Sequence, residues 1–225
     1  MEEFFQQLTN GLAVGAIYAL IALGYTMVYG VLKLINFAHG ELFTIGSYLG
    51  LTLLTSLGLS DVFGPLLGVL LLAAMVMGLV AVVGALLERT AYRPLRESPR
   101  LSAVVSALGA SIFFQNAVML IYGARLRVYP LGILPRTAVN LFGIYLPLVK
   151  LLILFASVAI MTALYLYIHK TRIGTAIRAA AIDQGAARLM GIDVDRVILI
   201  VFLIGPALGH SGRVEIWGEI TTPSG

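Results

Sequence analysis

Three groups of residues in this chain have types and spacings that can do chemistry. In Ile35-Asn36-Phe37-Ala38-His39-Gly40-Glu41 an amide, an imidazole and a carboxylate crowd together between two uncharged apolar runs. At the edge of a bilayer such groups are costly unless they are paired or wet. They read as the lining or gate of a pathway, or as a proton relay or metal site built on His39 and Glu41. A metal is disfavoured, because His169 and His210 sit in other segments and no His-x3-His or His-Glu-x2-His spacing occurs. The plainer alternative is that Asn36 and His39 cap helix ends across a short turn. In a second group, Ser111 and Gln115 share one helix face, while Asn116 points roughly 100° away. Amides in hydrocarbon ordinarily bond across helices and hold them together, and that role is favoured over substrate contact.

The third group lies in the longest polar interval, Lys170 to Arg196. It sets Lys170, Arg172, Arg178, Arg188 and Arg196 against Asp183, Asp193 and Asp195. Asp183 can accept from the exposed N–H groups at a helix start. Gln184 to Met190 supplies about two turns, and Gly191 suits the left-handed position that ends a helix. A short capped helix with no apolar core of its own is a surface for docking. The alternative is a solvated loop whose charges set topology.

The elements that must position these groups are membrane helices. The chain has 225 residues, 60% hydrophobic and 12% charged, with mean hydropathy +0.98. Soluble domains carry about 25% charged residues, so the composition predicts an all-α, polytopic transmembrane bundle surrounded by lipid. Net charge is +4, with the basic residues gathered in particular loops, which fits topology and not nucleic-acid binding. There is no cysteine, hence no disulfide or thiolate site. Glu2 and Glu3 precede a first apolar segment too long for a signal peptide, so it reads as a retained span.

A span needs about 20 apolar residues. Leu8–Leu32, Pro65–Leu87, Leu101–Ala124 and residues 148–168 (apolar core Leu151–Ile168) qualify. Leu42–Ser60, rich in Gly, Ser and Thr, is a tilted span or a broken helix inside the bundle. Val197–Ile204 begins a sixth, which Gly205-Pro206 is expected to interrupt, leaving a partial span over 197–208. The transmembrane bundle would thus occupy 1–209, with 210–225 as an atypical tail.

Arg89, Arg93, Arg96 and Arg100 place the loop after the third span in the cytoplasm. Two spans later the Lys170–Arg196 loop falls on the same side, and the N-terminus falls outside. The Arg125–Pro147 loop then faces outward, against the bias of Arg125, Arg127 and Arg136. Pro130, Pro135 and Pro147 with short β-type runs suggest structure there, although a plain connector is the simpler expectation. Gly11-x3-Gly15, Gly46-x3-Gly50 and Gly64-x3-Gly68 are expected to let helix backbones approach closely. No Gly-x4-Gly-Lys-Ser/Thr loop and no Gly-x-Ser-x-Gly elbow occurs, which removes P-loop nucleotide binding and the usual serine nucleophile.

NGLAVGAIYALIALGYTMVYGVLKLINFAHGELFTIGSYLG, with INFAHGE following GYTMVYG, strongly resembles the permease subunits of branched-chain amino acid ABC importers, LivH type. AAIDQGAARLMGIDVDRVI is similar to that family's cytoplasmic coupling loop. Ala186, Ala187 and Gly191 match the general Glu-Ala-Ala-x3-Gly pattern, with Gly185 where Glu is usual. The resemblance covers roughly Leu8 to Ile204. It implies a type II-like importer half in a bacterial inner membrane. Expected partners are a homologous second permease, cytoplasmic ABC ATPases and a periplasmic substrate-binding protein. ATP would be used on the partner subunit, with no cofactor and no enzymatic activity here, and substrate would move by alternating access. Asn36, His39, Glu41, Ser111, Gln115 and Asn116 become pathway candidates. Asp183, Gly185, Ala186, Ala187, Arg188 and Gly191 become the ATPase coupling surface, and the Arg125–Pro147 loop becomes a contact for the binding protein.

The family also includes carriers of urea or short amides. An intramembrane enzyme using His39 and Glu41 is the alternative of another class. The resemblance further implies several spans after the coupling loop, where this chain has GPALGHSGRVEIWGEITTPSG. That tail, with Arg213, Glu215 and Glu219, cannot span, and it reads as a truncated or frame-shifted copy or a fragment.

Overall fold

The computed structural model describes residues 2–57, 64–96, 98–123, 138–141 and 144–211. Uncharged apolar runs dominate it, and they become helices because within hydrocarbon only a helix satisfies its own backbone. α1 (Glu2–Leu32) ends at Lys33, whose φ of 55° puts it in the left-handed region and whose N–H returns to the Tyr29 carbonyl. After a short turn α2 (His39–Leu57) begins, with Glu41 in its first turn where a carboxylate suits the helix dipole. Gly64, at φ 79°, leads into α3 (Pro65–Leu87), with proline in the first turn where its missing N–H costs nothing.

α3 does not stop at the first charge. It widens into a π-helical turn over Glu88–Tyr92 and tightens into a 3-10 turn over Arg93–Leu95. α4 (Arg100–Tyr122) follows Pro99 and ends at Gly123, φ 81°. Ala138–Leu141 (β1) and Ile144–Pro147 (β2) form an antiparallel hairpin, with Ala138 opposite Pro147 and Leu141 opposite Ile144. This portion of the Arg125–Pro147 loop is therefore structured and not a plain connector. Arg125, Arg127, Arg136, Pro130 and Pro135 lie outside the described residues, as do Ser60 and the tail residues Arg213, Glu215 and Glu219.

α5 (Leu148–Lys170) turns sharply into α6 (Arg172–Ile182) at Thr171. The Thr171 hydroxyl donates to the Tyr167 carbonyl (2.6 Å) and accepts from the Gly174 N–H (3.0 Å). A side chain on Gly174 would collide with the Tyr167 and Ile168 carbonyls, so the reversal needs glycine there. α7 (Gln184–Leu189) and α8 (Val194–Ser211) follow. Among the described residues, the stretches 6–32, 67–95, 101–122 and 151–170 are long and apolar enough to cross a membrane, and the chain is a multi-pass membrane protein.

The sixth segment departs from expectation. α8 runs from Val194 to Ser211 without a break at Gly205-Pro206. It is the centre of the core: Val197, Ile198, Val201 and Phe202 are buried among Val28 and Val31 of α1, Leu42 of α2, and Leu72, Val76 and Val80 of α3. Pro206 removes the hydrogen bond that the Phe202 carbonyl would accept. That carbonyl lies against Gly84, close enough that a Cβ at position 84 would overlap it. The Gly205 carbonyl lies just as close to Gly24. Tight packing against two glycines therefore holds the helix together through its proline.

These contacts were not the ones the spacing suggested. Among the described residues no atom of another segment lies within 4 Å of where a Cβ on Gly11, Gly15 or Gly64 would stand, and Gly11 and Gly15 are on an exposed face of α1. Gly46 and Gly50 are buried on α2.

Candidate functional site

The hydrophilic residues gather at one end of the bundle. α7 is only six residues long, too short to hold itself, and both of its ends are closed. Asp183 terminates α6 and starts α7 with one extended residue (φ −149°), its Oδ1 accepting from the N–H groups of Gly185 (2.7 Å) and Ala186 (3.1 Å). At the other end the Gly191 N–H bonds the Arg188 carbonyl and the Ile192 N–H bonds the Ala187 carbonyl, both at 3.0 Å, with Gly191 at φ 81°. This is the paired closure of a helix C-terminus that glycine permits.

Two further ties fix α7 to the bundle. Ala187 is buried, and Gln184 Nε2 donates to the Val31 carbonyl at the end of α1 (2.7 Å). Three exposed apolar side chains surround it: Ile182 at the end of α6, Leu189 in the last turn of α7 and Met190 just after it are 85%, 91% and 82% exposed. Arg188 stands beside them, also exposed. Asp193 caps α8 in the same manner as Asp183 caps α7, accepting from the Arg196 N–H (3.1 Å), with the Arg196 Nε 2.8 Å from its other oxygen.

Asn36 and His39 are buried at this same end. Asn36 Oδ1 accepts from the Ala38 N–H (3.1 Å), as in a turn that opens a helix, and from the Tyr92 hydroxyl (2.8 Å). The Tyr92 ring packs on Phe202 of α8, centroids 5.1 Å apart. His39 meets Tyr25 edge-on at 5.6 Å, and its Nδ1 and the Asn36 Nδ2 have no partner among the described residues. Glu41 is partly exposed. Among the described residues no three His, Asp or Glu side chains converge as metal ligands would.

Ser111, Gln115 and Asn116 are not part of this cluster. They lie about 17–24 Å along α4 from its start, and Gln115 and Asn116 are exposed. Asn116 Nδ2 donates to the Ile112 carbonyl of its own helix (2.7 Å), so the cross-helix bonding expected of it is not found within the described residues.

The largest feature that residue patterns did not reveal is a string of charges. Glu88, 2% exposed, pairs with Arg96, whose other terminal nitrogen pairs with Asp195 on the first turn of α8. Arg188 of α7 lies 3.9 Å from the same Asp195 oxygen. The four charges alternate in sign. Their sequence signal was present, since Glu88 is the first charge after an apolar span, but charges beside a span are ordinarily read as topology markers. The ties between α7 and α1, Tyr92 and Asn36, and Arg96 and Asp195 place the 88–96 turns and the 170–196 segment at one end, as the two basic loops implied.

Residues 7–210 match the family described as branched-chain amino acid transport system / permease component. The chain is 43% identical over 219 residues to the high-affinity branched-chain amino acid transport system permease protein BraD of Pseudomonas aeruginosa, covering 94% of this chain and 70% of that protein. It is 42% identical over 211 residues to LivH of Escherichia coli (strain K12), a permease protein of the same description, covering 91% and 68%. A probable LivH from Methanocaldococcus jannaschii is 27% identical over 210 residues, covering 92% and 64%. No solved structure matches.

Proposed function

The chain belongs to the permease-component family of branched-chain amino acid transport systems, and from that premise we propose that it is the membrane half of an ATP-driven importer of branched-chain amino acids. It is a transport component, not an enzyme in its own right, so acid–base chemistry at His39 and Glu41 is set aside. The observation that carries the mechanism is the exposed apolar patch around α7. Leu189 on this six-residue helix, Ile182 at the end of α6 and Met190 just after α7 are all exposed at the surface, beside a helix closed at both ends and tied to α1 and α8. Exposed apolar patches of this kind mark protein contacts. A cytoplasmic ATPase is the partner proposed, with Asp183, Gly185, Ala186, Ala187, Arg188 and Gly191 forming the coupling helix that it grips.

Substrate passes by alternating access between this chain and a homologous second permease, delivered by a periplasmic binding protein. The membrane is a bacterial inner membrane, and the N-terminus faces outward. Ser111, Gln115 and Asn116 line the pathway on α4, where the exposed amides gain polar neighbours from the second permease. Asn36, His39 and Glu41 stand at the inner mouth. The reading is tested by co-purifying the cognate ATPase with the wild-type chain and with Leu189→Glu, then measuring leucine uptake in proteoliposomes with urea as competitor. Retention by the wild type, release by Leu189→Glu and uptake unaffected by urea are expected. An ATPase held equally by both chains overturns the docking assignment, and urea inhibition overturns the substrate assignment.

A further inference from the structure

The mechanism above needs the movement of α7 to reach the spans, and α7 is joined to them by few contacts. The alternating charges supply a path. Arg96 leaves the 3-10 turn that follows α3 and divides its guanidinium between two carboxylates: Glu88, buried where α3 gives way to the π turn, and Asp195, half-exposed on the first turn of α8. A planar fork with fixed donors suits such a bridge in a way that an ammonium does not. Arg188 of α7 stands 3.9 Å from the same Asp195 oxygen, an exposed ion pair longer than a hydrogen bond. Arg96 itself is 13% exposed. Among the described residues Arg96 is the ion-pair partner of Glu88, with Arg93 and Arg89 attracting it from farther away, so withdrawing Arg96 would leave a buried charge poorly compensated. Such a bridge resists opening. The ring of Tyr92, on the same π turn as Glu88, packs on Phe202 about 10 Å farther along α8 than Asp195, so the turns after α3 hold α8 by a charged and an apolar contact at two levels.

We propose that Arg96 is a positioning residue for transport, clamping the first turn of α8 to the end of α3 so that a displacement of α7, passed through Arg188 and Asp195, carries α3 with it. The inference rests on the reading of α7 as the ATPase contact. In this account α3 and α8 rock as one body, and Arg96 transmits force without touching substrate or ATPase.

The test uses the whole transporter, with its ATPases and binding protein, in proteoliposomes. Glu88→Gln/Arg96→Gln removes both buried charges together, which leaves neither ion uncompensated. Asp195→Asn cuts the α8 half of the bridge while keeping the Glu88–Arg96 pair. Arg96→Lys retains the charge and loses the fork. Two quantities are read: ATP hydrolysis by the co-purified ATPase, and leucine taken up per ATP hydrolysed. The double variant is expected to retain the ATPase and its hydrolysis while uptake per ATP falls about ten-fold or more, within the ordinary range of coupling between sites. Asp195→Asn and Arg96→Lys are expected to fall in the same direction by less. If the double variant fails to reach the membrane, Asp195→Asn decides alone. Uptake per ATP equal to wild type in a variant that assembles normally overturns the inference. Failure of the wild-type chain to retain the ATPase overturns instead the docking reading, and this inference with it.

Discussion

Asp183→Ala is the perturbation that isolates the cap of α7. The substitution removes the single oxygen that accepts from Gly185 and Ala186. It leaves the Asp183 N–H bond to Ala179, the Gln184 bond to Val31 and the closure at Gly191 in place. Loss of an N-cap acceptor costs about 0.5–2 kcal/mol. Six residues contribute almost no helix stability of their own, so that cost falls directly on the balance between formed and frayed α7. The ratio shifts by about five-fold for one kcal/mol and about thirty-fold for two. If the ATPase engages only the formed helix, its apparent Kd rises by up to the same factor. The assay is titration of purified ATPase onto permease proteoliposomes, reading half-saturation. Asp183→Asn, which keeps an acceptor oxygen in place, should bind within about two-fold of wild type because asparagine caps as well as aspartate. Wild-type binding by Asp183→Ala would refute the reasoning. So would equal weakening by Asp183→Asn, which would assign the effect to charge and not to the cap.

Two further predictions concern the packing that holds this end together. Gly24→Ala and Gly84→Ala each drive a methyl into a carbonyl of α8, and each should destabilise the folded chain by about 1–3 kcal/mol. Gly11→Ala, with nothing within 4 Å, should not; thermal unfolding in detergent separates the three. Tyr92→Phe keeps the ring on Phe202 and loses the hydrogen bond to Asn36, for a loss of about 0.5–1.5 kcal/mol read by the same measurement. Stability equal to wild type would mean that the hydroxyl finds water as readily as Asn36.

How much of this was legible beforehand differs from element to element. The spans near 8–32, 65–87, 101–124 and 148–168 could be read because length and the absence of charge are local properties. α7 could be read because a cap is local too: Asp183 and Gly191 sit next to the backbone groups that they satisfy. α8 could not. Gly205-Pro206 resembles a break, and what preserves the helix is the fit of its freed carbonyl against Gly84 on another helix. Spacing of small residues says that a helix can be approached closely and not which helix approaches it. Gly11 and Gly15 have the pattern without a close neighbour among the described residues, whereas Gly24 and Gly84 have the neighbour without the pattern. The charge string was hidden for the same reason, since Arg96 and Asp195 are 99 residues apart in the chain. From the sequence Asn36 is a pathway or capping candidate. The turn it makes with Ala38 could be anticipated, while its bond with Tyr92 depends on the tertiary fold.

The orientation of α7 tests the account most directly, because a coupling surface must face the compartment that holds ATP. The chain contains no cysteine, so Leu189→Cys, at a position 91% exposed, provides a single thiol for a membrane-impermeant maleimide. The expected result is no labelling in intact cells, ready labelling in inverted membrane vesicles, and protection there when the ATPase is added. Labelling of Leu189→Cys from outside intact cells would contradict it.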